Sequence, residues 1–274
     1  MTTNMPKAKY FWKEDFEDFA GKEAEQYHFG VTQYPFNMKL YDKLMKDLLQ
    51  PIINTKKTLN ILDAGGGTGK WALYFIQYGH KVTLIDVAHP MLKVARKMVR
   101  NNTLEDMITV HHGSILDLPY EDKRFDFVFS DRNPISHCGC KEESHQSIRE
   151  IYRVMKEGAS ILGCVLNKHR KVAQLATELK FDQALNLMRS GDMQRGNDAH
   201  THYYTATELL SVLKQTGFKN NITLLPTTAF TELIPTAWLL DEIPLKKCLQ
   251  LEMVGREVPE LLSYGVRFHF QAKK

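Results

Sequence analysis

The sequence predicts an α/β fold in which a mainly parallel sheet is covered by helices. Apolar runs of strand length alternate along the chain with segments whose apolar residues recur at the helical period. A glycine-rich loop, "DAGGGTG", directly follows the first of these apolar runs. Ligands of such open sheets bind at the carboxyl ends of the strands, so this loop marks the predicted binding edge.

The predicted elements follow one another in a regular order. Residues 38–50 carry a helical stripe of leucines, Leu40, Leu44, Leu48 and Leu49. The strand-like runs that follow are "TLNILD", "KVTLID", "MITVHH", "RFDFVFS" and "ASILGCVL", and the helical segments among them include "TGKWALYFIQYG" and "PMLKVARKMVRNN". A helix-like segment, "VAQLATELKFDQALNLMRSG", interrupts this alternation. The pattern then returns with "TATELLSVLKQTGF", "NITLLP" and "GVRFHFQAK".

The composition excludes several functional classes. With 274 residues, 43% of them hydrophobic and 25% charged, the chain can bury a sizeable core. The net charge of +4 is small and basic residues are interspersed with acidic ones, which argues against a nucleic-acid partner. No run approaches the roughly 18 apolar residues that cross a bilayer, and the N-terminus lacks the apolar segment of a signal peptide. We therefore expect a cytoplasmic protein without membrane insertion, whose four cysteines are reduced.

Two phosphate-binding patterns fail at the glycine loop. A P-loop requires glycine and a hydroxyl residue at the positions that Ala64 and Trp71 occupy. A dinucleotide fingerprint requires a third glycine where Lys70 stands, which weakens that interpretation without excluding it. The carboxylate of Asp63 at the mouth of the loop would repel a pyrophosphate and attract a cationic ligand. S-adenosylmethionine is such a ligand, because it carries an ammonium and a sulfonium.

Several motifs occur together in the order found in one enzyme family. "LDAGGGTG", "LIDVAHPML", "HHGSILDLPYEDKRFDFVFS" and "REIYRVMKEGASIL" resemble the class I S-adenosylmethionine-dependent methyltransferases. The likeness is to the small-molecule branch (methyltransferase type 11) that contains the ubiquinone and menaquinone biosynthesis methyltransferases. It covers roughly residues 58–166, and "HYYTATELLSVLKQTGF" matches a later strand–helix unit. The resemblance implies a Rossmann-like, doubly wound sheet of seven strands whose last strand is antiparallel.

We expect a single methyltransferase domain over residues 1–274, with two additions to the core. Residues 1–50 are predicted to form an N-terminal helical cap, and residues 167–202 an inserted lid. Residues 51–166 contain the cofactor-binding core, and residues 203–274 its C-terminal part. Aromatic residues are concentrated in the cap, which suits an apolar or aromatic substrate. Within the cap, Tyr27 stands where the family has a tyrosine that closes over the cofactor.

The resemblance also implies which residues bind the cofactor. Asp63, Gly65 and Gly67 are expected to hold its methionine end, with Ala64 between them in the same site. Gly67 permits close approach of the backbone to the ligand. Asp86, which ends the second strand, is expected to accept hydrogen bonds from both ribose hydroxyls.

The adenine end of the cofactor is expected to meet a second group of residues. Val87 and Met91 are predicted to pack on the ring. Ser114 stands where family members often have an acidic residue, so adenine recognition would depend on backbone groups near Ile115. Ser130, at the end of the fourth strand, is included in the predicted cofactor site.

Catalysis requires a group that aligns the nucleophile with the methyl group and accepts its proton where there is one. Asp131 is the predicted base, because it follows the fourth strand at the carboxyl edge of the sheet. A helix N-cap or an ion pair with Arg132 is the structural alternative for Asp131. His137 is the second candidate. Polar residues of the cap, the loop after the fourth strand and the lid are candidates to bind the substrate: His28, Arg132, His200, His202 and Tyr203.

No metal site is expected from the spacing of potential ligands. The short segment "HCGC", with His145 downstream, lacks the second pair of ligands that a structural zinc site needs.

The sequence therefore predicts methyl transfer from S-adenosylmethionine, with S-adenosylhomocysteine as product, to an N, O or C atom of a small metabolite. Such reactions occur in natural-product and cofactor biosynthesis. The motifs of DNA methyltransferases are absent, since Asn133 and Pro134 are followed by Ile135 and no Pro-Cys pair occurs. Two alternatives stay open: a non-catalytic S-adenosylmethionine-binding partner or sensor, and an NAD-dependent enzyme. The sequence indicates neither the methyl acceptor nor the oligomeric state.

Overall fold

The computed structural model describes residues 35–195, 199–219, 221–230 and 242–274. Tyr27 and His28 lie outside these ranges, as does most of the predicted cap, so the roles expected of them stay predictions. The first described helix, α1, runs over Pro35–Ile53 and confirms the helical stripe seen in the sequence. Leu40, Leu44 and Leu49 of that stripe are fully buried.

Strands and helices alternate through the core. The first five strands are β1 (Asn60–Ala64), β2 (Lys81–Asp86), β3 (Ile108–His112), β4 (Phe125–Ser130) and β5 (Met155–Leu166). The helices among them are α2 (Lys70–Ile76), α3 (His89–Asn101) and α4 (Lys141–Val154). All five strand-like runs before residue 167 are therefore strands.

The segment predicted as a lid contains two helices and a hairpin. These elements are α5 (Lys168–Thr177), α6 (Phe181–Ser190), β6 (Asp192–Arg195) and β7 (Ala199–His202). The sequence suggests one long helix here, but Leu179 adopts a left-handed φ of +58° and separates α5 from α6. After the hairpin come α7 (Ala206–Thr216), β8 (Thr223–Thr227), α8 (Glu242–Gly255) and β9 (Arg267–Lys273).

Seven strands form one sheet in the order β3-β2-β1-β4-β5-β9-β8. The neighbours from β3 to β5 are parallel, whereas β9 is antiparallel to both β5 and β8. This confirms the predicted seven-stranded sheet with an antiparallel last strand. The chain moves from β1 outward to β3 and then crosses back to β4, so its direction reverses between β1 and β4. In open α/β sheets this reversal point is where ligands bind.

Apolar side chains cover both faces of the sheet. Ile61 and Phe127 belong to a cluster that includes residues of α1, α2 and α3. Their neighbours in sequence, Leu62 and Val128, belong to a second cluster with residues of α4 and α7. Successive side chains of a strand point to opposite faces, so the sheet is covered by helices on both sides.

The sequence does not predict α8, which lies between β8 and β9 along the chain. Its Cys248 joins Leu40 of α1 in a small buried cluster, and Glu252 is also buried. Leu251 and Val254 are exposed. Apolar residues therefore do not mark the buried face of this helix, and the periodicity that identifies the other helices is missing.

Two further observations concern the composition. All four cysteines are free, and Cys138, Cys164 and Cys248 are buried. In the part of the chain that the structure describes, no helix combines the length and apolar character needed to span a membrane.

Candidate functional site

The glycine loop between β1 and α2 is shaped by its neighbours in the sheet. The backbone N–H groups of Gly65 and Gly66 donate to the carbonyl of Ile85 at 2.8 and 3.2 Å. Gly65 has a φ of +80°, and a Cβ there would lie 2.5 Å from the Cβ of Pro134. Gly67 has a φ of +53°, and nothing lies within 4 Å of the position that a Cβ would take. The loop therefore turns tightly at Gly65 and leaves open space at Gly67.

Asp86 ends β2, and its carboxylate holds the glycine loop in place. Oδ2 accepts a hydrogen bond from the N–H of Gly67 at 2.9 Å, and Oδ1 accepts one from the N–H of Ala88 at 2.9 Å. Burial raises the pKa of Asp86, and backbone donors including these two oppose the rise. A carboxylate offers about four lone-pair sites, so Asp86 keeps acceptor capacity for a ligand. The predicted ribose acceptor thus lies directly beside the loop.

A pocket opens next to the glycine loop at the carboxyl edge of the sheet. Residues of α1, β1, the glycine loop, α2, β4 and the loop after β4 line it: Asp42, Asp63, Gly65, Gly66, Gly67, Thr68, Lys70, Trp71, Phe129, Asp131 and Arg132. The ammonium of Lys70 lies 2.5 Å from Asp42 Oδ2. The structure therefore brings the predicted methionine-binding loop together with the predicted base, Asp131.

Asp63 lies at the end of β1 with only 2% of its surface exposed. Its Oδ2 is buried and has no hydrogen-bond partner among the described residues. Burial raises the pKa of this carboxyl well above its ordinary value, and the charges of Asp131 and Asp86 raise it further. A cationic ligand would relieve this repulsion and favour the ionised carboxylate.

Asp131 follows β4 and is also buried. Its Oδ1 accepts hydrogen bonds from the Tyr41 hydroxyl and from His269 Nε2, the latter at 3.2 Å. Its Oδ2 has no hydrogen-bond partner among the described residues, and Arg132 Nε lies 4.0 Å away. Burial would raise the pKa of Asp131, but the hydrogen bond and charge of His269, with Arg132 and Tyr41, lower it to about 2. Asp131 is therefore a fixed negative charge and a weak base.

The sequence does not single out Tyr41 or His269, the two partners of Asp131. His269 lies on β9, is fully buried, and bonds through Nδ1 to the Thr227 hydroxyl. Its Nε2 lies 3.0 Å from the Tyr41 hydroxyl. Burial would lower the pKa of His269, but Cys164 and Asp131 raise it to about 9. The strand "RFHFQAK" alternates polar and apolar residues and places His269 among the polar ones, so the pattern gives no signal that this histidine is buried.

The loop after β4 holds two successive residues in the left-handed region. Arg132 has a φ of +64° and Asn133 a φ of +67°. Non-glycine residues seldom adopt this conformation, and strained backbone is concentrated at functional sites. The guanidinium of Arg132 lies 3.8 Å from the centre of the Tyr41 ring, in a cation–π contact beside the pocket. The loop thus positions Arg132 next to Asp131 by means of an unusual backbone turn.

Three other residues predicted for the cofactor are engaged within the protein. The hydroxyl of Ser130 donates to the carbonyl of Ala64 at 3.1 Å and is fully buried. The side chain of Ile115 belongs to the hydrophobic core. Ser114 Oγ accepts a hydrogen bond from the N–H of Leu116 at 3.1 Å, which shapes its own turn. Contact of these residues with a cofactor would therefore involve backbone groups more than side chains.

Val87 and Met91, predicted to pack on adenine, lie beside Asp86. Val87 directly follows β2, and Met91 is in the first turn of α3. Both are half-buried, so each leaves part of its apolar side chain accessible at the same edge of the sheet. Their role in adenine binding stays a prediction.

The remaining predicted residues lie near the segment predicted as a lid, and none of them lines the pocket. His137 Nδ1 lies 3.2 Å from the hydroxyl of Thr201 and links the loop after β4 to the lid hairpin. His202 is fully buried among acidic groups, and Tyr203 belongs to a small apolar cluster with Leu175 of α5 and Leu187 of α6. His200 is exposed. Catalysis by His137 and substrate binding by the other three residues stay predictions.

Comparison with known proteins identifies relatives of the core. Residues 61–158 match a family described as "Methyltransferase domain". The demethylmenaquinone methyltransferase of Listeria welshimeri is 32% identical over 136 residues, which cover 47% of this chain and 53% of that protein. The chain thus spans about half the length of the curated relatives it matches.

Solved structures share the fold at low sequence identity. Phosphoethanolamine N-methyltransferase 2 of Haemonchus contortus, solved in complex with S-adenosyl-L-methionine, has a TM-score of 0.63 at 17% identity, over 98% of this chain and 61% of that one. The [4+2]-cyclase SpnF has a TM-score of 0.54 at 19% identity, over 84% of this chain and 80% of that one. These likenesses show the fold alone, and SpnF shows that one fold can carry different chemistry.

Proposed function

We propose that this chain, which carries a methyltransferase domain over residues 61–158, transfers the methyl group of S-adenosylmethionine to an N, O or C atom of a small molecule. One observation carries the proposal beyond the family match. Asp63 and Asp131 line the same pocket, and each keeps a buried carboxylate oxygen without a hydrogen-bond partner among the described residues. Such oxygens are costly to bury unless a ligand supplies the missing donors or positive charge. The ammonium of S-adenosylmethionine would supply positive charge to Asp63, and an O–H or N–H group of the methyl acceptor would supply the donor to Asp131.

The residues at the pocket fit this cofactor. Asp63 offers an unpaired oxygen to the ammonium, Gly67 leaves room for the ligand to lie against the loop, and Asp86 keeps acceptors for the ribose. When bound, S-adenosylmethionine supplies an electrophilic methyl group on a positively charged sulfur. The remaining task of the protein is to orient a nucleophile in line with that methyl group.

Asp131 is the best-placed residue to orient the nucleophile. Its Oδ2 can accept a hydrogen bond from an O–H or N–H group in the pocket, whereas Oδ1 is held by Tyr41 and His269. An efficient general base has a pKa near the working pH, and that of Asp131 is about 2. We therefore assign Asp131 to orientation and charge stabilisation, and we expect the nucleophile to lose its proton to another acceptor. Arg132, beside it, would position a polar group of the substrate.

The names of relatives support a small-molecule acceptor. One relative is named for demethylmenaquinone and one structural neighbour for phosphoethanolamine, and these two compounds share no obvious scaffold. The acceptor atom is therefore left open between N, O and C. A cytoplasmic location and the absence of a nucleic-acid partner stay predictions from composition.

Transfer of radiolabel tests the proposal. Purified protein incubated with methyl-labelled S-adenosylmethionine and a panel of amines, phenols and carboxylic acids should label at least one acceptor. S-adenosylhomocysteine should raise the thermal unfolding temperature, and NAD should not. Binding of S-adenosylhomocysteine without transfer to any acceptor would favour the non-catalytic sensor or partner. Stabilisation by NAD alone would refute the assignment.

A further inference from the structure

A second group of polar side chains lies where the lid hairpin meets the core. His145 belongs to α4, His202 ends β7, and Glu208 lies in the first turn of α7. His202 Nε2 lies 3.2 Å from Glu208 Oε1, and His145 Nε2 lies 3.7 Å from the same oxygen. One nitrogen or oxygen atom from each residue lies within 4.8 Å of the other two. Three separate elements therefore direct potential metal ligands to one point.

The surroundings of the two histidines favour metal binding at this point. His202 is fully buried, and its Nδ1 lies 2.6 Å from Asp192 Oδ1, so its Nε2 is turned toward Glu208. Metal-binding histidines are commonly held in this way, with a carboxylate at the second ring nitrogen. His145 Nε2 is buried and has no hydrogen-bond partner among the described residues. A buried polar atom without a partner often marks the place of an ion or water.

We propose that His145, His202 and Glu208 bind a divalent cation, for which Zn²⁺ is the best-suited ion. Two imidazole nitrogens and one carboxylate oxygen form a known zinc ligand set that leaves a fourth position for water. Metal–ligand distances of about 2.0–2.2 Å place tetrahedral ligand atoms about 3.3–3.6 Å apart. The separations of 3.2 and 3.7 Å from Glu208 are close to these values. The two imidazole nitrogens lie within 4.8 Å of each other, so the imidazoles would move closer together to complete the site.

Lys141 is the group that competes with the ion for Glu208. Its Nζ lies 3.1 Å from Glu208 Oε1, and its side chain is 44% exposed. A bound cation would displace this flexible ammonium toward solvent, because both positive charges need the same carboxylate oxygen. Removal of the Lys141 charge should therefore strengthen metal binding. A purely structural ion-pair cluster gives no reason for zinc affinity to rise in that variant.

A bound ion would fasten the lid hairpin to the core. His202 belongs to the hairpin, whereas α4 and α7 pack on the sheet. The proposal does not depend on the proposed methyl transfer, since none of the three residues lines the pocket. It also revises the expectation of a metal-free protein. The spacing in the sequence gives no zinc pattern, because the three ligands belong to separate elements.

Zinc titration of the full chain tests the proposal. Protein stripped with EDTA and titrated with ZnCl₂ in a calorimeter should bind one ion per chain. His145→Ala and His202→Ala should each weaken binding by at least about tenfold, the scale seen when even an outer partner of a ligand is lost. Lys141→Met should bind more tightly than the wild type. His169→Ala, which removes an exposed histidine of α5, is the matched control and should bind like the wild type.

A second measurement separates loss of a ligand from loss of the fold. Circular dichroism and thermal unfolding in EDTA show whether each variant is folded before metal is added. His145→Ala decides the case if the buried His202 proves necessary for folding, because His145 is partly exposed. Co²⁺ used as a probe should give the intense visible bands of a tetrahedral site in the wild type. Absence of stoichiometric zinc binding, or equal affinity in wild type and folded His145→Ala, would overturn the proposal.

Discussion

Asp86 holds the glycine loop and is predicted to offer acceptors to the ribose, so its replacement tests both roles. Asp86→Ala removes the partner of the N–H groups of Gly67 and Ala88 and leaves two ribose hydroxyls poorly paired. We expect the affinity for S-adenosylhomocysteine to fall by about 1–3 kcal/mol, with the fold retained. Isothermal titration calorimetry measures this directly, and an unchanged affinity would contradict the ribose assignment.

Asp126 provides a matched control for that variant. It lies near the start of β4, at the opposite edge of the sheet, and its Oδ2 accepts a hydrogen bond from the N–H of Asn60 at 3.0 Å. Asp126→Ala should therefore lower stability without changing the affinity for S-adenosylhomocysteine. A similar loss of affinity in both variants would indicate a general effect on the fold.

Asp131→Asn tests whether the negative charge beside the pocket acts on the reaction. The substitution keeps the size of the side chain and one acceptor oxygen but removes the charge. We expect turnover to fall by ~10²-fold or more while cofactor affinity changes little. The measurement needs an acceptor identified by the screen above, at saturating concentration. Turnover close to that of the wild type would instead indicate that Asp131 only holds Tyr41 and His269 in place.

Tyr41→Phe separates the charge of Asp131 from the hydrogen bonds that hold it. The variant removes one donor to Oδ1 and leaves the carboxylate intact. We expect a loss of about 0.5–1.5 kcal/mol in the free energy of unfolding, and a smaller fall in turnover than in Asp131→Asn. A fall in turnover as large as that of Asp131→Asn would show that the Tyr41 hydroxyl itself takes part in the reaction.

At the scale of an element, alanine substitution of two glycines distinguishes the cost of backbone strain from the cost of steric crowding. Gly65 in the glycine loop and Gly79 before β2 have φ values of +80° and +79°. A Cβ at Gly79 meets nothing within 4 Å, whereas one at Gly65 would lie 2.5 Å from Pro134. We expect Gly79→Ala to cost about 1–2 kcal/mol of the free energy of unfolding, and Gly65→Ala to cost more. Equal losses of unfolding free energy in the two variants, measured by urea denaturation, would show that Pro134 moves aside without an energetic cost.

The predictability of each element depends on how clearly its buried face is marked. The five early strands were predictable because each run is of strand length, mainly apolar and separated from the next by a polar or helical segment. The break between α5 and α6 was not, because the left-handed turn at Leu179 carries no glycine to announce it. Helix α8 was missed because it exposes Leu251 and buries Glu252.

The same reasoning explains which parts of the site the sequence could predict. Asp63 and Asp131 directly end or follow strands, so their place at the carboxyl edge could be inferred from order along the chain. Tyr41 and His269 reach Asp131 only because α1 packs on the sheet and β9 inserts beside β5, where His269 pairs with Cys164. Such contacts depend on strand order and register, which local sequence patterns do not specify.

At the scale of the whole molecule, His269 and Asp131 make stability depend on pH. The pKa of His269 is about 9, compared with about 6.5 in an unfolded chain. Its contribution is therefore fully present below about pH 6.5 and is lost as the pH rises through about 9. The pKa of Asp131 is about 2, compared with about 3.9 unfolded, so its contribution is present above about pH 4 and is lost as the pH falls through 2.

We therefore expect the free energy of unfolding to decrease between about pH 6.5 and pH 9. Urea denaturation of the wild type and of His269→Gln at both pH values isolates the contribution of this residue. His202, whose pKa is raised by Asp192 and Glu208 against the effect of burial, contributes in the same direction and is retained in the variant. The decrease should therefore be smaller in His269→Gln. An equal decrease in both proteins would show that His269 is not the titrating group.

The position of β9 has a consequence for the newly made chain. β9 lies between β5 and β8 but follows both along the chain. While residues 267–273 are still inside the ribosome, β5 has one unpaired edge and β8 has no neighbour in the sheet. Unpaired strand edges can pair with other chains. We therefore expect the nascent chain to be prone to aggregation at this stage and to depend on chaperones until β9 is in place. Because β9 also carries His269, Asp131 gains its buried cationic partner only after β9 has left the ribosome.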